Sequence, residues 1–483
     1  MGMQTTDRVP SGTDRNALPA YEAFQKGLTA QQQGDLIRAI GHYRDAMDLG
    51  SLDAGLLNNF GCALRDLGRP EAAAEVLHLC ARLYPDHAMC LSNLGSALAD
   101  LGRREEALSL CRKAALALPD SAIAWFNLGC VLQSLERDRE AAACFERAIV
   151  LAPGYVEAHY NLAEARLRMG EFRAGWREFE WRGRIPKFRR VWSSVSRPFW
   201  QGEPLEGRRL LLNAEQGMGD MIQFARYASR IAAMEGEVIL RVYPPLVRLM
   251  RGSLEKAVTV TSTADPKPDA DFELMLMSAP LALEDRIDGI PGKVPYLSAP
   301  ADEVETWGKR LADLPGLRVG LVWAGGRRPY DPAAIRTDRK RSLLPRQLKI
   351  LVGIPGVSWI SLQKGIPAED LAQVPPDLGL HDFMAEIDDF AGTAALIEAL
   401  DLVIAVDTAV AHLAGALGKP VWLLSRFNGC WRWLLDRPDS PWYPTLILYR
   451  QNSLGDWEEV LGRVARDLER LATPAISPAQ RTG

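Results

Sequence analysis

Residues 402–424 read LVIAVDTAVAHLAGALGKPVWLL. Leu402–Val406 is an apolar run of strand length, Asp407-Thr408 is a polar corner, and Ala409–Leu417 has the length of a short helix. Gly418-Lys419-Pro420 turns the chain into a second apolar strand. Continuous apolar strands on either side of a helix mark a parallel α/β sheet covered on both faces. Asp407-Thr408 then stands at the carboxyl end of a strand, where a helix begins. The unpaired N–H groups and positive dipole end of that helix favour an anion, and open α/β sheets bind ligands along this edge.

The whole chain sets bounds on what is brought to that corner. Its 483 residues exceed one core and predict two to four domains. A net charge of −4 argues against a general nucleic-acid binder. No apolar run is long enough for a transmembrane segment, and the first residues, MGMQTTDRVPSGTDRN, hold no signal-peptide core. Six of the seven cysteines fall within the first 144 residues, and no C-x-x-C pair occurs. The expectation is free, buried thiols in a cytoplasmic protein, with disordered ends at 1–19 and 472–483.

Upstream, Gly27, Gly61, Gly95, Gly129 and then Ala163 recur at intervals of 34 residues. Gly34, Gly68, Gly102 and Gly170 follow the same beat with one miss at Glu136, and Pro85, Pro119 and Pro153 close three successive units. A helix–turn–helix period of 34 residues is that of the tetratricopeptide repeat (TPR). The small residue lets paired helices approach, and proline ends the second. An α-solenoid of about five units is predicted over 20–190. Asn59, Asn93, Asn127 and Asn161 also stand 34 apart, on the first helix of each unit. An amide donates to and accepts from one peptide unit, so this ladder either holds an extended peptide in the groove or ties adjacent repeats together. The stretch EFEWRGRIPKFRRVW (178–192) reads as a nucleic-acid patch or as a last helix docked on the next domain, its aromatics buried and its arginines paired; the acidic chain favours docking.

A first α/β half is predicted over 198–300. Strand Arg209–Ala214 leads through Glu215-Gln-Gly217-Met-Gly219-Asp220 into a helix over Met221–Ala233, with further strands at Val238–Val242, Ala257–Thr261 and Phe272–Met277. Gly217 and Gly219 permit close approach of a ligand to backbone, without the third glycine of a dinucleotide fingerprint or the lysine of a P-loop. Asp220 is either a helix-terminal charge or a general base at a cleft. The second half, 301–471, adds strands Leu317–Trp323 and Val357–Ser361, the stretch Leu362-Gln363-Lys364-Gly365, a helix over Thr393–Leu400 and a closing helix over Trp457–Leu471. A basic loop, Arg336-Thr-Asp-Arg339-Lys340-Arg341-Ser342, is either a phosphate clamp or solvated. His412 is either a packed helix residue or a ligand contact at the corner.

With these residues in hand, about Pro198 to Leu471 resembles the heptosyltransferase-like glycosyltransferases (family 9) of the GT-B fold, in the bacterial branch where such a domain follows TPR repeats. The likeness rests on Gly217-x-Gly219-Asp220-x-Ile222-Gln223-Phe224-x-Arg226-Tyr227, Val319-Gly-Leu-Val-Trp323, Arg341-Ser342, Ser361-Leu-Gln-Lys-Gly365, Val406-Asp407-Thr408-x-x-x-His412, Trp431-Arg-Trp433 and Ser440-Pro-Trp442-Tyr443-Pro. The asparagine ladder is similar to that of the O-GlcNAc transferase family. The resemblance implies two Rossmann-like domains and inverting, metal-independent hexosyl, N-acetylhexosaminyl or heptosyl transfer from a nucleotide-diphosphate sugar, with no cofactor. It implies Asp220 as base, and Gly217, Gly219, Arg341, Ser342, Gln363, Lys364, Asp407, Thr408, Ala409 and His412 around the donor. Partners would be that donor and a polypeptide or glycan acceptor in the TPR groove; nucleic acid is not expected. Ala409, where the family has glycine, and the stretch 425–430 depart from its pattern, which leaves the sugar and the base open. A TPR scaffold with a non-catalytic GT-B domain is the other reading, as is transfer to lipopolysaccharide or another envelope glycan.

Overall fold

The computed structural model describes residues 17–254, 258–284, 289–290, 292–326, 332–365 and 368–473. The chain divides between Met169 and Gly170 into two compact units. Most of the two ends expected to be disordered, 1–16 and 474–483, lies outside the described residues.

The first unit is a helical repeat array: α1 (Ala17–Gln32), α2 (Leu36–Asp48), α3 (Ala54–Asp66), α4 (Pro70–Leu83), α5 (Ala88–Asp100), α6 (Arg104–Ala117), α7 (Ala122–Ser134), α8 (Asp138–Leu151) and α9 (Val156–Arg168). The sequence periodicity has a direct steric cause. A Cβ on Gly27, Gly61, Gly95 or Gly129 would come within 2.6 Å of Tyr43, Leu77, Cys111 or Phe145, each sixteen positions later on the paired helix. The second glycine series ends each first helix in the left-handed region, and Glu136, which interrupts it, adopts the same conformation at φ 58°. Asp35, Asp53 and Ser121 cap α2, α3 and α7 by accepting from backbone N–H groups two residues inside each helix.

The expectation of free thiols fails at one pair. The turn at Pro85 brings the last turn of α4 to the first turn of α5, and Cys80 and Cys90 form a disulfide across a Cα–Cα distance of 6.4 Å. Cys62, Cys111, Cys130, Cys144 and Cys430 are free. No helix of the described residues is long and apolar enough to cross a membrane.

The second unit starts with α10 (Phe172–Phe179), a 3-10 turn (Glu180–Arg184) and α11 (Pro186–Trp192), so the array ends about twenty residues before the predicted boundary. Trp176 of α10 is buried edge-on against Trp431, their centroids 5.2 Å apart, beside Phe224 and Phe179. Aromatic pairs of this kind add about 0.5–1.5 kcal/mol each beyond area burial. The expectation of buried aromatics and paired arginines over 178–192 holds at Arg182, which is fully buried and paired with Glu180 and Glu215. It fails beyond, where α11 buries no residue, Arg184, Arg189 and Arg190 are exposed, and Trp181, Phe188 and Trp192 are only half-buried.

Two parallel sheets follow. The first comprises β1 (Arg209–Asn213), β2 (Glu237–Val242), β3 (Val258–Ser262) and β4 (Phe272–Met275) in the order β3-β2-β1-β4. Its helices are α12 (Met218–Phe224), α13 (Arg226–Ala232), α14 (Val247–Ser253) and the short α15 (Ala279–Ala282). Where one helix was predicted over Met221–Ala233, the chain breaks at Ala225 into α12 and α13. The second sheet has β5 (Leu317–Val322), β6 (Val357–Ser361), β7 (His381–Asp382), β8 (Leu402–Val406), β9 (Val421–Ser425) and β10 (Leu446–Arg450) in the order β10-β9-β8-β5-β6-β7. Helices α16 (Ala301–Arg310), α17 (Pro332–Arg341), α18 (Ala368–Leu371), α19 (Phe390–Glu398), α20 (Ala409–Ala416) and α21 (Trp457–Ala472) accompany it. The predicted basic loop is therefore mostly helix: α17 runs to Arg341 and only Ser342 lies beyond it; nothing is described of the Arg336 side chain or of residues 327–331.

The opening stretch folds as read. All five residues of β8 are buried, and β8 pairs with β9 from Val403↔Val421 to Val406↔Leu424 and with β5 on its other side. Strand order reverses between β5 and β8, and likewise between β1 and β4. Switch points of this kind open a crevice at the carboxyl edge, where the loops carrying Asp407 and Asp220 emerge.

Candidate functional site

The loop after β1 is braced from beneath. Glu215 accepts from Arg182 at 3.0 and 2.8 Å and from the Met277 N–H at 3.1 Å, while the Arg182 guanidinium also reaches Ser278. Burial alone would make the Arg182 cation easier to neutralise; its two carboxylates outweigh that and raise its pKa. On this base Gln216 takes a left-handed conformation, and Gly217 starts α12. The Gly217 N–H donates to Asp220 Oδ2 at 2.7 Å, so the helix-terminal role considered for Asp220 is real. Its other oxygen, Oδ1, is held by Arg432.

Arg432 stands in the Trp431-Arg-Trp433 motif, which by itself assigns it no role. It comes from a 3-10 turn (Trp431–Trp433) after β9, crosses to the first half, and donates through Nε to Gln223 Oε1 at 2.6 Å. Burial acts to lower its pKa, and Asp220 overrides this and raises it. The signal legible in sequence was an arginine between two tryptophans, a cation placed where it cannot be hydrated unless partnered.

Helix α20 packs directly on α12. A Cβ on Gly219 would meet His412 Cδ2 at 3.0 Å and Ala409 Cα at 3.3 Å, so this glycine serves the approach of one half to the other. His412 Nδ1 lies 2.9 Å from the Tyr443 hydroxyl, the ring stacks on Trp433 at 5.2 Å, and Nε2 is 3.9 Å from Asp407 Oδ1. Burial pushes its pKa down to about 4 against the pull of Asp407. It is thus a neutral, packed imidazole at pH 7 that borders the corner. The hydroxyl of Thr408, at the N-cap of α20, is buried without a hydrogen-bond partner among the described residues.

The second half supplies the facing side. Arg341 Nη1 donates to the Asp407 carbonyl at 3.0 Å, and Nη2 pairs with Asp338 at 2.6 Å. Ser342 Oγ accepts from Gly325 N–H at 3.1 Å. Gln363 is turned inward: its Oε1 accepts from the N–H groups of Trp323 and Ala324 at 3.1 and 2.8 Å, and its Nε2 donates to the Ala324 carbonyl at 3.0 Å. It shapes the loop after β5, which corrects its expected role as a nucleotide contact. Lys364 donates to the Ile387 carbonyl. Gly217, Gly219, Asp220, Asp407, Thr408, Ala409 and His412 are thus gathered at one corner with Arg341, while Gln363 and Lys364 are engaged elsewhere.

Of the two readings of the asparagine ladder, the contacts favour ties between repeats over the acceptor-binding role. Asn93 Nδ2 donates to Asn58 Oδ1 at 2.8 Å, and Asn127 Nδ2 donates to Ser92 Oγ at 2.9 Å, each thirty-five residues back in the preceding repeat. The residues thirty-five before Asn59 and Asn161 are Phe24 and Phe126, which accept nothing. Asn161 turns instead to Cys130 Sγ at 3.3 Å, and Asn59 Nδ2 is buried without a partner among the described residues. Asn59, Asn93 and Asn127 are buried, and Asn93, Asn127 and Asn161 serve as repeat-to-repeat ties, whereas Asn59 makes none among the described residues.

Comparison with known proteins agrees with this division. Residues 58–122 and 122–155 match the tetratricopeptide repeat, and residues 388–424 match glycosyltransferase family 9 (heptosyltransferase). That last span contains β8, the Asp407 corner, α20 and all but the last residue of β9. Protein FlbA of Caulobacter vibrioides is 28% identical over 337 residues, 63% of this chain and 54% of that protein; the chain spans about half the length of this relative. Among solved structures, MamA is 22% identical over 34% of this chain and 96% of its own, with a TM-score of 0.28. A thermophilic TPR protein of Thermus thermophilus, TTC0263, is 20% identical over 36% and 97%, with a TM-score of 0.33. The chain combines TPR repeats with a glycosyltransferase-like region.

Proposed function

We propose that the second unit is an inverting glycosyltransferase of GT-B type that moves a sugar from a nucleotide-diphosphate donor to a hydroxyl acceptor recruited by the repeat array. One observation carries the reading: Asp220 at the end of the first sheet lies beside Arg432, His412 and the Asp407–Ala409 corner of the second, held there by the packing of Gly219 on α20. Donors fixed at the N-terminus of α20 stabilise charge developing on a leaving diphosphate. Asp220 positions the acceptor hydroxyl and takes its proton late in the reaction. Arg341 borders the same corner, and the Thr408 hydroxyl offers an unused donor to a phosphate oxygen. With the asparagines used as ties, a polypeptide acceptor rests on the array's general capacity for extended binding surfaces.

Asp220→Asn tests the reading. Loss of a positioned base lowers transfer by about 100-fold or more while the variant stays folded and retains nucleotide. Turnover equal to the wild type removes Asp220 from the mechanism.

A further inference from the structure

The contacts of Arg432 divide into one fixed end and two that are open to exchange. Nε is anchored on Gln223 Oε1, a side chain with no exposure to solvent. Among the described residues Nη1 donates only to the Cys430 thiol, at 3.1 Å, and Nη2 donates to Asp220. Burial pushes the Cys430 pKa up, so its sulfur is a neutral, weak acceptor. Asp220 for its part has both oxygens occupied, one by the Gly217 N–H and one by Arg432. Each of these donors takes one of the carboxylate's acceptor sites, so an acceptor hydroxyl competes with Arg432 for Asp220 Oδ1.

Among the described residues two guanidinium–carboxylate pairs border the corner, Arg341 with Asp338 and Arg432 with Asp220, and the Asp407 carboxylate, 3.9 Å from the neutral His412, adds a further negative charge. A diphosphate that engages either arginine does so in competition with its carboxylate, since an arginine fork binds phosphate and carboxylate oxygens alike. Only the exchange at Arg432 also releases the base.

We propose that Arg432 is an exchangeable partner of Asp220: it holds the carboxylate while the donor is absent and passes to the donor's diphosphate when that binds, which frees Asp220 for the acceptor. This rests on the transferase reading above. In the step so armed, the acceptor oxygen bonds to the anomeric carbon as the bond from that carbon to the β-phosphate oxygen breaks. The bonding pair leaves with the nucleoside diphosphate, and the hydroxyl proton passes to an Asp220 oxygen. Donor binding must then precede productive acceptor binding.

The test is calorimetric binding of UDP, ADP and GDP, each beside its monophosphate, to the wild-type chain and to Asp220→Asn, Arg432→Gln and Arg432→Lys. Exchange predicts that Asp220→Asn binds the preferred diphosphate about threefold to tenfold more tightly than the wild type, because its competitor for Arg432 is gone. Arg432→Gln should weaken the diphosphate about 10- to 100-fold and leave the monophosphate within about twofold, with partial recovery in Arg432→Lys. An Asp220→Asn variant that gains nothing overturns the exchange even if Arg432→Gln fails to fold, and so does an Arg432→Gln variant that weakens both nucleotides alike. A wild-type chain that binds none of the diphosphates overturns the transferase reading and the exchange together; wild-type binding without the gain in Asp220→Asn overturns the exchange alone.

Discussion

Two asparagines at equivalent repeat positions should respond to alanine to different degrees. Asn93→Ala removes a 2.8 Å hydrogen bond and strands the Asn58 carbonyl oxygen in a residue that is 1% exposed. A lost hydrogen bond costs about 0.5–1.5 kcal/mol, and leaving a buried polar atom unpaired raises the total to about 1.5–3 kcal/mol. For a unit of this size that corresponds to a fall in melting temperature of about 4–10 °C. Asn59→Ala removes a buried amide nitrogen that has no partner among the described residues, so the desolvation it relieves offsets the contacts it loses and the net change stays within about 1 kcal/mol. Thermal unfolding of the full chain measures the difference. Hydrogen exchange at peptides from α3 and α5 assigns it to the repeat array, where coupling is between neighbours. Equal losses in the two variants, or none in Asn93→Ala, would refute the assignment of the ladder to repeat ties.

Other outcomes follow from single sites. Gly129→Ala forces a Cβ to within 2.6 Å of Phe145 and should cost about 1–3 kcal/mol, whereas Gly154→Ala meets nothing within 4 Å and should be near neutral; chemical denaturation separates them. His412 has its pKa lowered from 6.5 to about 4 by burial, against the pull of Asp407. Below pH 6.5 the unfolded chain gains a proton that the folded chain refuses until about pH 4, so stability falls as pH drops through that window. The loss is on the order of 3 kcal/mol, and melting temperature against pH should be flatter in His412→Gln. Arg182→Met leaves Glu180 and Glu215 unpaired beneath the loop that carries Asp220. It should destabilise the second unit by about 3–5 kcal/mol, with recovery when Glu215→Leu is added.

The repeat array and the strands of both sheets were legible because each leaves a local period: a glycine at the close approach of paired helices, or five apolar residues in a buried parallel strand. The corner at Asp407 was legible for the same reason, as a polar dipeptide between such a strand and a short helix. The use of a polar side chain was not legible. Gln363 and Asn93 look alike free to bind a ligand until the backbone and neighbours that occupy them are in place. Arg432 could not be matched to Asp220 from sequence, because 212 residues separate them and only the packing of two sheets brings them together. Cys80 and Cys90, ten residues apart, were missed because helical periodicity alone does not register the turn that joins α4 to α5. The run before Ser342 looked like a loop because its charges hid a helix with few apolar residues.

Thermal unfolding and sugar release, measured on the purified chain with UDP-, ADP-, GDP- and CMP-sugars, test the central claim most directly. A ligand that binds only the folded state stabilises it by about 2.7 kcal/mol at a hundred times its dissociation constant. The account predicts that one donor class raises the melting temperature and slowly loses its sugar to water, and that Asp220→Asn keeps the shift while the release disappears. No shift and no release with any of the four would contradict a transferase and leave the second unit as part of a scaffold.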